Sequence, residues 1–479
     1  LLWICGIIVQ FTPLGDIRSD NVADPSQAKI EDRKSKLALF FYSFNPLVNF
    51  QKLFTVSEGG DKSLSVLNGV RVLSICWVIV GHVFSFVQIA PITNFSTVMK
   101  MLNDTSVSIV PGGVYAVDTF FFLSGFLTCY LLTAKMYPRK GRDNYLLLYF
   151  HRYYRLFFPL LFITGLAMYI CRYAGDGPNY RSTWSFVVQN CEKYWWTNLL
   201  FINNFHPWLS IDSCIGWAWY LANDFQFFVM TPPIIYLYCK NRKIAYTVVF
   251  VLIAVSMLVN GVLTLIFNVS VVLTAEDFDA STWLYPKPWS RMGAYFVGGI
   301  FGLGYFEFMC KEKFYELKDT LFNKIFEKLK ESRIISLILC LVGIGLTALY
   351  VFPIWRYYVD CGGSNSCWSR FPNFLYNLTS RPFFVFGVGL ILIPTFVGRL
   401  RFVKSFLGST YFTVLARLNY LVYMNHCLII FWLISDTKQS QYVNSLGQWF
   451  MSIGVTVFAF LFAIPMTLLW EVPFMNIEK

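Results

Sequence analysis

The stretch Leu67-Asn-Gly-Val-Arg71-Val-Leu-Ser-Ile-Cys-Trp-Val-Ile-Val-Gly-His82 decides the fold class, because it is mostly apolar and the apolar run continues to residue 88. A helix of about 20 apolar residues spans the hydrocarbon core of a bilayer. Nine further stretches of this kind follow along the chain. The ten lie at 66–88, 113–134, 154–172, 217–238, 245–267, 292–309, 334–353, 380–397, 413–434 and 450–471. We therefore predict an all-α polytopic membrane protein with ten core transmembrane helices.

The composition of the 479 residues agrees with this fold class. Hydrophobic residues make up 56% of the chain and charged residues 14%, whereas a soluble protein carries about 25% charged residues. This composition excludes a soluble multidomain enzyme. The 39 Lys and Arg exceed the 27 Asp and Glu, and among so many apolar runs we attribute the excess to membrane topology rather than to nucleic-acid binding.

The apolar runs divide the chain into four segments. Residues 1–12 are apolar but too short to span a bilayer, and we interpret them as the end of a truncated transmembrane helix. A cleaved secretory signal is the alternative. Residues 13–65 form a predicted cytosolic linker, residues 66–471 the membrane domain and residues 472–479 a cytosolic tail.

Alternate loops differ in their positive charge, which predicts the orientation of the chain. The loops 13–65, 135–155, 239–244, 310–333, 398–412 and 472–479 together carry 27 Lys and Arg, whereas 89–112, 173–216, 268–291, 354–379 and 435–449 carry 8. Because cytosolic loops are enriched in Lys and Arg, the first set is predicted to be cytosolic and the second luminal.

Glycosylation sequons and cysteines agree with this orientation. The sequons begin at Asn94, Asn103, Asn268 and Asn377, all in the second set of loops. Two cysteine pairs in the same loops could form disulfides in an oxidising compartment, Cys191 with Cys214 and Cys361 with Cys367. We therefore expect an endomembrane or the plasma membrane, and a mitochondrial membrane stays open.

Ionisable residues inside apolar runs are costly and therefore candidates for function. Arg71 and His82 share the first run, and eleven residues at about 1.5 Å each separate them by about 16 Å. His82 then lies near the bilayer midplane, where an imidazole can act as a general base. A structural histidine bonded to a neighbouring helix is the alternative. Asp118 could orient His82 or bind an acceptor hydroxyl, or cap its own helix.

A basic cluster precedes the third run. Arg152 and Arg155 could clamp the phosphates of a nucleotide-bearing cofactor, although positive-inside anchoring predicts basic residues in the same place. Secondary candidates are Asp224, Arg417 and His426. Asp224 and His426 could meet His82 or Asp118 around one polar cavity, and Arg417 could pair with Glu471.

Several enzyme classes have no support in the sequence. The chain contains no P-loop, no GxGxxG, no HExxH and no Ser/His/Asp spacing, which argues against nucleotide hydrolysis, Rossmann cofactors and metalloproteolysis. It contains no CxxC pair and no Cys/His spacing typical of a metal site, so we predict no metal.

The stretch quoted first resembles the signature of the acyltransferase 3 family of integral-membrane acyltransferases, and more narrowly the animal branch called nose resistant to fluoxetine. In that signature a basic residue and a histidine are separated by ten positions. The resemblance covers nearly the whole chain and continues in order through Val117-Asp118-Thr-Phe-Phe-Phe-Leu-Ser-Gly125-Phe, Arg152-Tyr-Tyr-Arg155, Trp196-Thr-Asn-Leu-Leu-Phe-Ile-Asn-Asn204, Trp217-Ala-Trp-Tyr-Leu-Ala-Asn-Asp224-Phe-Gln226-Phe, Lys287-Pro-Trp-Ser-Arg291, Leu415-Ala-Arg417-Leu-Asn-Tyr420-Leu-Val-Tyr-Met-Asn-His426 and Glu471-Val-Pro473.

The resemblance implies an activity. Family members are thought to take an acyl group from acyl-CoA on the cytosolic side and pass it to a hydroxyl of a lipid or sugar facing the other side. Arg71, Arg152 and Arg155 would then hold the CoA phosphates, His82 would act as base or transient acyl acceptor, and Asp118 would support the site. Membrane lipids and acyl-CoA are the implied partners.

A second function stays open from the same resemblance. The animal branch is associated with drug response and lipid uptake, so the chain could be a non-catalytic subunit of a larger membrane complex that transports or scaffolds lipids or hydrophobic compounds. Similar members also carry a luminal cysteine-rich domain ahead of an extra first helix, which fits a chain that opens within a helix.

Overall fold

The computed structural model describes residues 2–10, 36–56, 63–271, 280–361 and 368–477. Within these ranges the regular elements are helical, and the β-type pairing is an isolated bridge between Ile92 and Gln441. The prediction of an all-α protein is confirmed. The α-helices are α1 (Leu2–Gln10), α2 (Lys36–Ser43), α3 (Pro46–Phe54), α4 (Val66–Phe86), α5 (Phe95–Val98), α6 (Val114–Met136), α7 (Tyr145–Gly165), α8 (Tyr180–Leu199), α9 (Trp219–Lys240), α10 (Arg242–Phe267), α11 (Pro288–Cys310), α12 (Leu321–Glu331), α13 (Arg333–Cys361), α14 (Arg370–Phe396), α15 (Arg401–Leu407), α16 (Thr410–Ser435), α17 (Ser445–Met466) and α18 (Val472–Ile477).

Nine helical segments in the described ranges are long and apolar enough to cross a membrane, which makes the chain an integral multi-pass membrane protein. They match nine of the ten predicted spans and are Val66–Ile89, Thr105–Arg139, Tyr145–Tyr173, Arg242–Phe267, Pro288–Cys310, Arg333–Cys361, Arg370–Phe396, Thr410–Ser435 and Ser445–Ile477. The remaining predicted span, 217–238, corresponds to α9. This helix has 22 residues, but Asn223, Asp224 and Gln226 lower its hydropathy.

Segments predicted to lie on the same side of the membrane contact one another. On the predicted luminal side, Trp355 Nε1 donates a hydrogen bond to the Leu102 carbonyl oxygen at 3.1 Å. On the predicted cytosolic side, Arg242 donates to the carbonyl oxygen of Glu316 at 3.2 Å. This grouping is the one that the predicted alternating topology requires, and α9 is the tenth crossing in that predicted topology.

Glycines bring α6 and α11 into backbone contact at the centre of the bundle. A Cβ atom added at Gly125 would lie 2.0 Å from the Tyr295 carbonyl oxygen, and one added at Gly298 would lie 2.1 Å from the Phe122 carbonyl oxygen. Small residues allow such close approach between transmembrane helices. This pair of helices holds Asp118 and Arg291 at the positions from which they face each other.

The helices α4 and α16 pack side by side and carry the two histidines singled out in the sequence. The middle of α16 is enclosed by its neighbours, with residues 421–430 all buried. His426 therefore projects into protein rather than into lipid, which is the expected environment of an ionisable residue in a span.

The predicted disulfide between Cys191 of α8 and Cys214 is present and lies within the single predicted luminal loop 173–216. Cys361 is disulfide-bonded, but Cys367 lies outside the described residues, so that predicted pair stays a prediction. Of the proposed terminal segments, α1 packs near the end of the membrane domain through Trp3 and Trp470, whose ring centroids are 5.9 Å apart. Most of the linker 13–65 and the last two residues of the tail lie outside the described ranges.

Candidate active site

His82 and His426 form a hydrogen-bonded pair between α4 and α16. Nδ1 of His82 lies 2.8 Å from Nε2 of His426, and the two rings are nearly parallel, with centroids 5.0 Å apart and planes 14° apart, so they meet edge to edge through this hydrogen bond. The Phe86 ring stacks on His82 with centroids 5.2 Å apart. The hydrogen bond and the Phe86 contact together orient the His82 ring. Of the predicted secondary candidates, His426 is thus the one that the structure brings to His82.

A backbone carbonyl determines the tautomers of both histidines. Nδ1 of His426 lies 2.6 Å from the Tyr423 carbonyl oxygen, which can only accept, so this nitrogen carries the proton. In the neutral ring Nε2 of His426 is then an acceptor, and Nδ1 of His82 must be the donor across the 2.8 Å contact. Nε2 of neutral His82 is therefore unprotonated, and no described residue hydrogen-bonds to it.

Cys427 completes a cluster of three groups that could ligate a metal ion. Its Sγ lies 3.2 Å from Nε2 of His426 and 3.6 Å from Nδ1 of His82. Two nitrogens bound to one tetrahedral zinc ion lie about 3.3 Å apart, as follows from Zn–N bonds of about 2.05 Å. The observed 2.8 Å between the histidine nitrogens is a hydrogen-bond distance, shorter than the spacing of two nitrogens on one zinc ion.

Asp118 is buried against Arg291 and is not hydrogen-bonded to His82. Asp118 Oδ2 and Arg291 Nη1 are 2.7 Å apart, and both side chains are at most 1% exposed. Arg291 also donates from Nε to the Tyr285 carbonyl oxygen at 2.9 Å. The expectation that Asp118 orients His82 is therefore wrong in this geometry, because the adjacent guanidinium takes the carboxylate instead.

A large cavity opens beside His82 on the predicted luminal side. Its volume is about 1370 Å³, and its wall includes His82, Trp217, Trp219 and Arg381. Residues from luminal loops, such as Asn190, complete it. His82 therefore contributes to the cavity wall, and in the tautomer described above its Nε2 has the free lone pair of a proton acceptor.

A second charged cluster lies deeper toward the predicted cytosolic side. Arg152 forms a salt bridge with Asp224 and donates to Ser124 Oγ at 3.3 Å. Asp224 therefore meets neither His82 nor Asp118, which corrects that expectation. The reason is that the guanidinium of Arg152, on α7, binds the Asp224 carboxylate.

Arg71 and Arg155 complete this deeper cluster. Arg71 interacts electrostatically with Arg152, Arg155 and Asp224, but its side chain forms no hydrogen bond or ion pair with the described residues. Arg155 interacts electrostatically with Glu471. The three arginines predicted to hold phosphates thus lie together, and among the described residues Arg152 is the one that a carboxylate binds directly.

The predicted pairing of Arg417 with Glu471 is wrong. Arg417 Nη1 instead donates to three carbonyl oxygens at the end of α3, those of Lys52, Leu53 and Thr55, at 2.9, 2.6 and 3.0 Å. A guanidinium is a suitable cap for the exposed carbonyls at a helix C-terminus. Arg417 therefore anchors the linker rather than the site.

The four predicted glycosylation asparagines differ in their surroundings. Asn103 and Asn268 are exposed. The Asn94 amide donates to the Val443 carbonyl oxygen at 2.8 Å and accepts from the Val443 nitrogen at 2.9 Å. Asn377 lies within α14 and donates to the Ser270 carbonyl oxygen at 3.3 Å. The exposed pair is thus the more accessible to a glycosyltransferase.

Two site residues were missed by the sequence prediction. Arg291 stands in a predicted luminal loop and carried no signal except its place in a family motif. Arg381 lies within the predicted span 380–397, so its charge in an apolar run was the available signal. The ion pair of Arg291 could not be seen in the sequence either, since its partner Asp118 lies 173 residues away along the chain.

Comparisons with known proteins agree with the resemblance seen in the sequence. A family model described as "Acyltransferase domain" matches residues 64–469. "Nose resistant to fluoxetine protein 6" of Caenorhabditis elegans is 24% identical over 451 residues, covering 88% of this chain and 52% of that protein. "Regulator of hypoxia-inducible factor 1" of the same organism is 22% identical over 270 residues, covering 50% of this chain and 51% of that protein. The chain therefore spans about half the length of these curated relatives, and no solved structure matches it.

Proposed function

This chain belongs to the acyltransferase 3 family, whose model spans residues 64–469, and from that membership we propose that it is a membrane O-acyltransferase. It takes an acyl group from acyl-CoA on the cytosolic side and transfers it to a hydroxyl-bearing lipid or sugar on the other side. The observation that carries this proposal is that His82 lines the luminal cavity and that its hydrogen bond to His426 leaves its Nε2 unprotonated.

His82 acts as the general base and then as the general acid. The acceptor hydroxyl gives its proton to Nε2 of His82 while its oxygen forms a bond to the thioester carbonyl carbon. The carbon–sulfur bond then breaks, and the CoA thiolate takes the proton from Nε2, so the products are an ester and free CoA. Nε2 of His426 accepts the hydrogen bond from Nδ1–H of His82 throughout and so stabilises the His82 imidazolium. A transient acyl group on the same nitrogen is the alternative chemistry, and it also requires an unprotonated Nε2.

The deeper cluster supports a donor site. The carboxylate of Asp224 binds Arg152 directly, whereas no described carboxylate forms an ion pair with Arg71 or Arg155, and their guanidinium groups could bind an anion. Guanidinium groups bind phosphates through paired charge-assisted hydrogen bonds. Arg71 and His82 are about 16 Å apart along α4, a distance comparable with an extended pantetheine arm. A donor bound through its phosphates at Arg71 would thus bring its thioester toward His82.

A non-catalytic role in lipid transport or scaffolding is the second candidate. The observation that favours it is the size of the luminal cavity, about 1370 Å³, with aromatic walls that suit a hydrophobic compound. Such a protein would bind its cargo in the cavity without needing the His82 tautomer or an acyl-CoA.

Binding and turnover of radiolabelled acyl-CoA by the detergent-purified chain test the proposal. We expect Arg71→Gln to raise the Kd for acyl-CoA about tenfold or more, because it removes charge-assisted hydrogen bonds of about 1.5–3 kcal/mol. We expect His82→Ala to keep this affinity and to lose turnover about 100-fold or more, the contribution of a general base.

Matched controls separate these roles from loss of folding. Arg139→Gln changes an exposed arginine at the cytosolic end of α6, and His206→Ala changes an exposed luminal histidine, and both should behave as wild type. A folded wild-type protein that fails to bind acyl-CoA would refute the enzyme and favour the lipid-handling role.

A further inference from the structure

Arg381 presents a positive charge to the luminal cavity without a carboxylate to balance it. Its Nη1 donates to the carbonyl oxygens of Leu284 and Ser290 at 3.2 and 3.4 Å, both neutral acceptors. The side chain lies in the cavity wall together with His82. No described carboxylate lies within ion-pair distance of it.

The neighbouring charges cannot neutralise Arg381. Asp118 and Arg291 interact electrostatically with it, but Asp118 is already bound to Arg291 at 2.7 Å. Two guanidinium groups thus share one carboxylate, and the group keeps a net charge of about +1. A net charge in a membrane-embedded domain is costly unless a partner or a water-filled cavity compensates it. The geometry therefore points to a ligand that brings the missing negative charge.

The rest of the cavity wall indicates what kind of molecule carries that charge. Trp217, Trp219 and Phe431 contribute aromatic surface, while Gln88 and Asn190 contribute amides near the luminal loops. Apolar walls with a few polar groups suit an amphiphile whose chain lies against the aromatic rings. A small soluble anion would leave most of this apolar surface in contact with water.

We propose that the acceptor is an anionic amphiphile, bound through its anionic headgroup by Arg381 and presenting a hydroxyl to His82. This inference rests on the proposed function, since it names the class of acceptor for the same reaction. The chemistry that recognises the ligand is a phosphate or carboxylate on a guanidinium. Arg381 thus selects the acceptor, while Arg71 serves the donor.

Direct lipid binding tests the inference without any acyl donor. Quenching of tryptophan fluorescence by the cavity ligand would be titrated with lysophosphatidylglycerol, which is anionic, lysophosphatidylcholine, which is zwitterionic, and glycerol 3-phosphate, which is a soluble phosphate. We expect wild type to bind the anionic lysolipid about tenfold more tightly than the zwitterionic one. Glycerol 3-phosphate should displace it weakly, because it lacks the apolar chain.

Three variants assign the selectivity to the charge of Arg381. Arg381→Gln should remove the preference by weakening lysophosphatidylglycerol binding more than lysophosphatidylcholine binding, and the remaining binding of both lipids reports a folded cavity. Arg381→Lys should keep a preference for the anionic lipid. Arg356→Gln, at an exposed arginine that pairs with Asp360 at 2.9 Å, should match wild type.

Clear results overturn the inference. Equal Kd values for the two lysolipids in wild type, or a preference that persists in Arg381→Gln, would remove Arg381 as the anion site. Displacement by glycerol 3-phosphate at lysolipid concentrations would replace the amphiphile with a soluble phosphate. Selective binding of the anionic lysolipid without acyl-CoA turnover would support the lipid site and refute the acyltransferase. Turnover without selective binding would support the acyltransferase and refute the lipid site.

Discussion

At the residue scale, the proposed mechanism depends on the hydrogen bonds that link His82, His426 and the Tyr423 carbonyl oxygen. The Tyr423 carbonyl oxygen accepts from Nδ1 of His426, and Nε2 of His426 accepts from Nδ1 of His82. Each hydrogen bond determines which nitrogen of the next ring carries the proton. The Tyr423 carbonyl oxygen of α16 thereby determines that Nε2 of His82 is unprotonated. His426 is a positioning residue in this scheme, because it acts through His82.

We predict that His426→Ala lowers kcat for acyl transfer by about 10- to 100-fold with an unchanged KM for acyl-CoA, a smaller effect than loss of the base itself. Without His426 the His82 ring can carry its proton on Nε2, where it no longer accepts one. His426→Gln should recover most of the rate, because the amide oxygen of Gln can accept from Nδ1 of His82. Steady-state kinetics on the three proteins measure this.

A purely structural role for His426 would give a different result. Both substitutions would then lower kcat and thermal stability together, and Gln would offer no recovery of the rate. Adding Cys427→Ser to this series tests for a metal ion held by His82, His426 and Cys427. If such an ion were required, Cys427→Ser would lower activity as strongly as His426→Ala.

The sequence predicted part of this site and not the rest, for a physical reason. An ionisable residue within an apolar run is energetically costly to place in a membrane, so its presence there indicates a role. His82, His426 and Asp118 were identified in this way. Which of them meet depends on helix packing, and no local pattern reports it. Asp118 and Asp224 were therefore identified correctly as polar residues within spans and given the wrong neighbours, since Arg291 and Arg152 reach them first.

At the scale of elements, the contact between α6 and α11 holds the luminal wall in place. Gly125 and Gly298 let the two backbones touch, and Asp118 on α6 then meets Arg291 on α11. A change that separates these helices should disturb the ion pair and the cavity wall together.

We predict that Gly298→Ala destabilises the purified protein by about 1–3 kcal/mol, the usual cost of overpacking. The added Cβ would lie 2.1 Å from the Phe122 carbonyl oxygen, so the helix backbones must move apart. Gly454→Ala in α17 is the matched control, since a Cβ there meets nothing within 4 Å. Thermal unfolding in detergent should show a lower Tm for the first variant and an unchanged or higher one for the second. Equal Tm values for both would contradict the close packing.

The helices themselves were the most predictable part of the molecule. Nine predicted spans coincide with apolar helices because the cost of exposing backbone to lipid makes a long apolar run helical. The tenth, α9, shows the limit of the apolar criterion, since its polar residues face Asn204 and Arg152 inside the bundle. An enclosed helix can cross the membrane with less apolar surface than one that meets lipid.

At the scale of the whole molecule, two charged clusters flank the histidine pair. Toward the predicted cytosol Arg71 and Arg155 lie near the Arg152–Asp224 pair without an ion pair to any described carboxylate, and toward the predicted lumen Arg381 lies near the Asp118–Arg291 pair without one. Each side therefore offers guanidinium groups to an anion, and His82 lies between the two clusters. This arrangement accounts for a reaction whose donor and acceptor approach from opposite sides.

Transfer of label in sealed proteoliposomes tests this central claim most directly. Membrane-impermeant radiolabelled acyl-CoA would be added outside vesicles that contain the full chain, lysophosphatidylglycerol and phosphatidylcholine, and labelled ester would be measured in the lipid fraction. The account predicts labelled ester with wild type and His206→Ala, and about 100-fold less with His82→Ala. Ester formation by folded His82→Ala at the wild-type rate, or none by wild type, would contradict it.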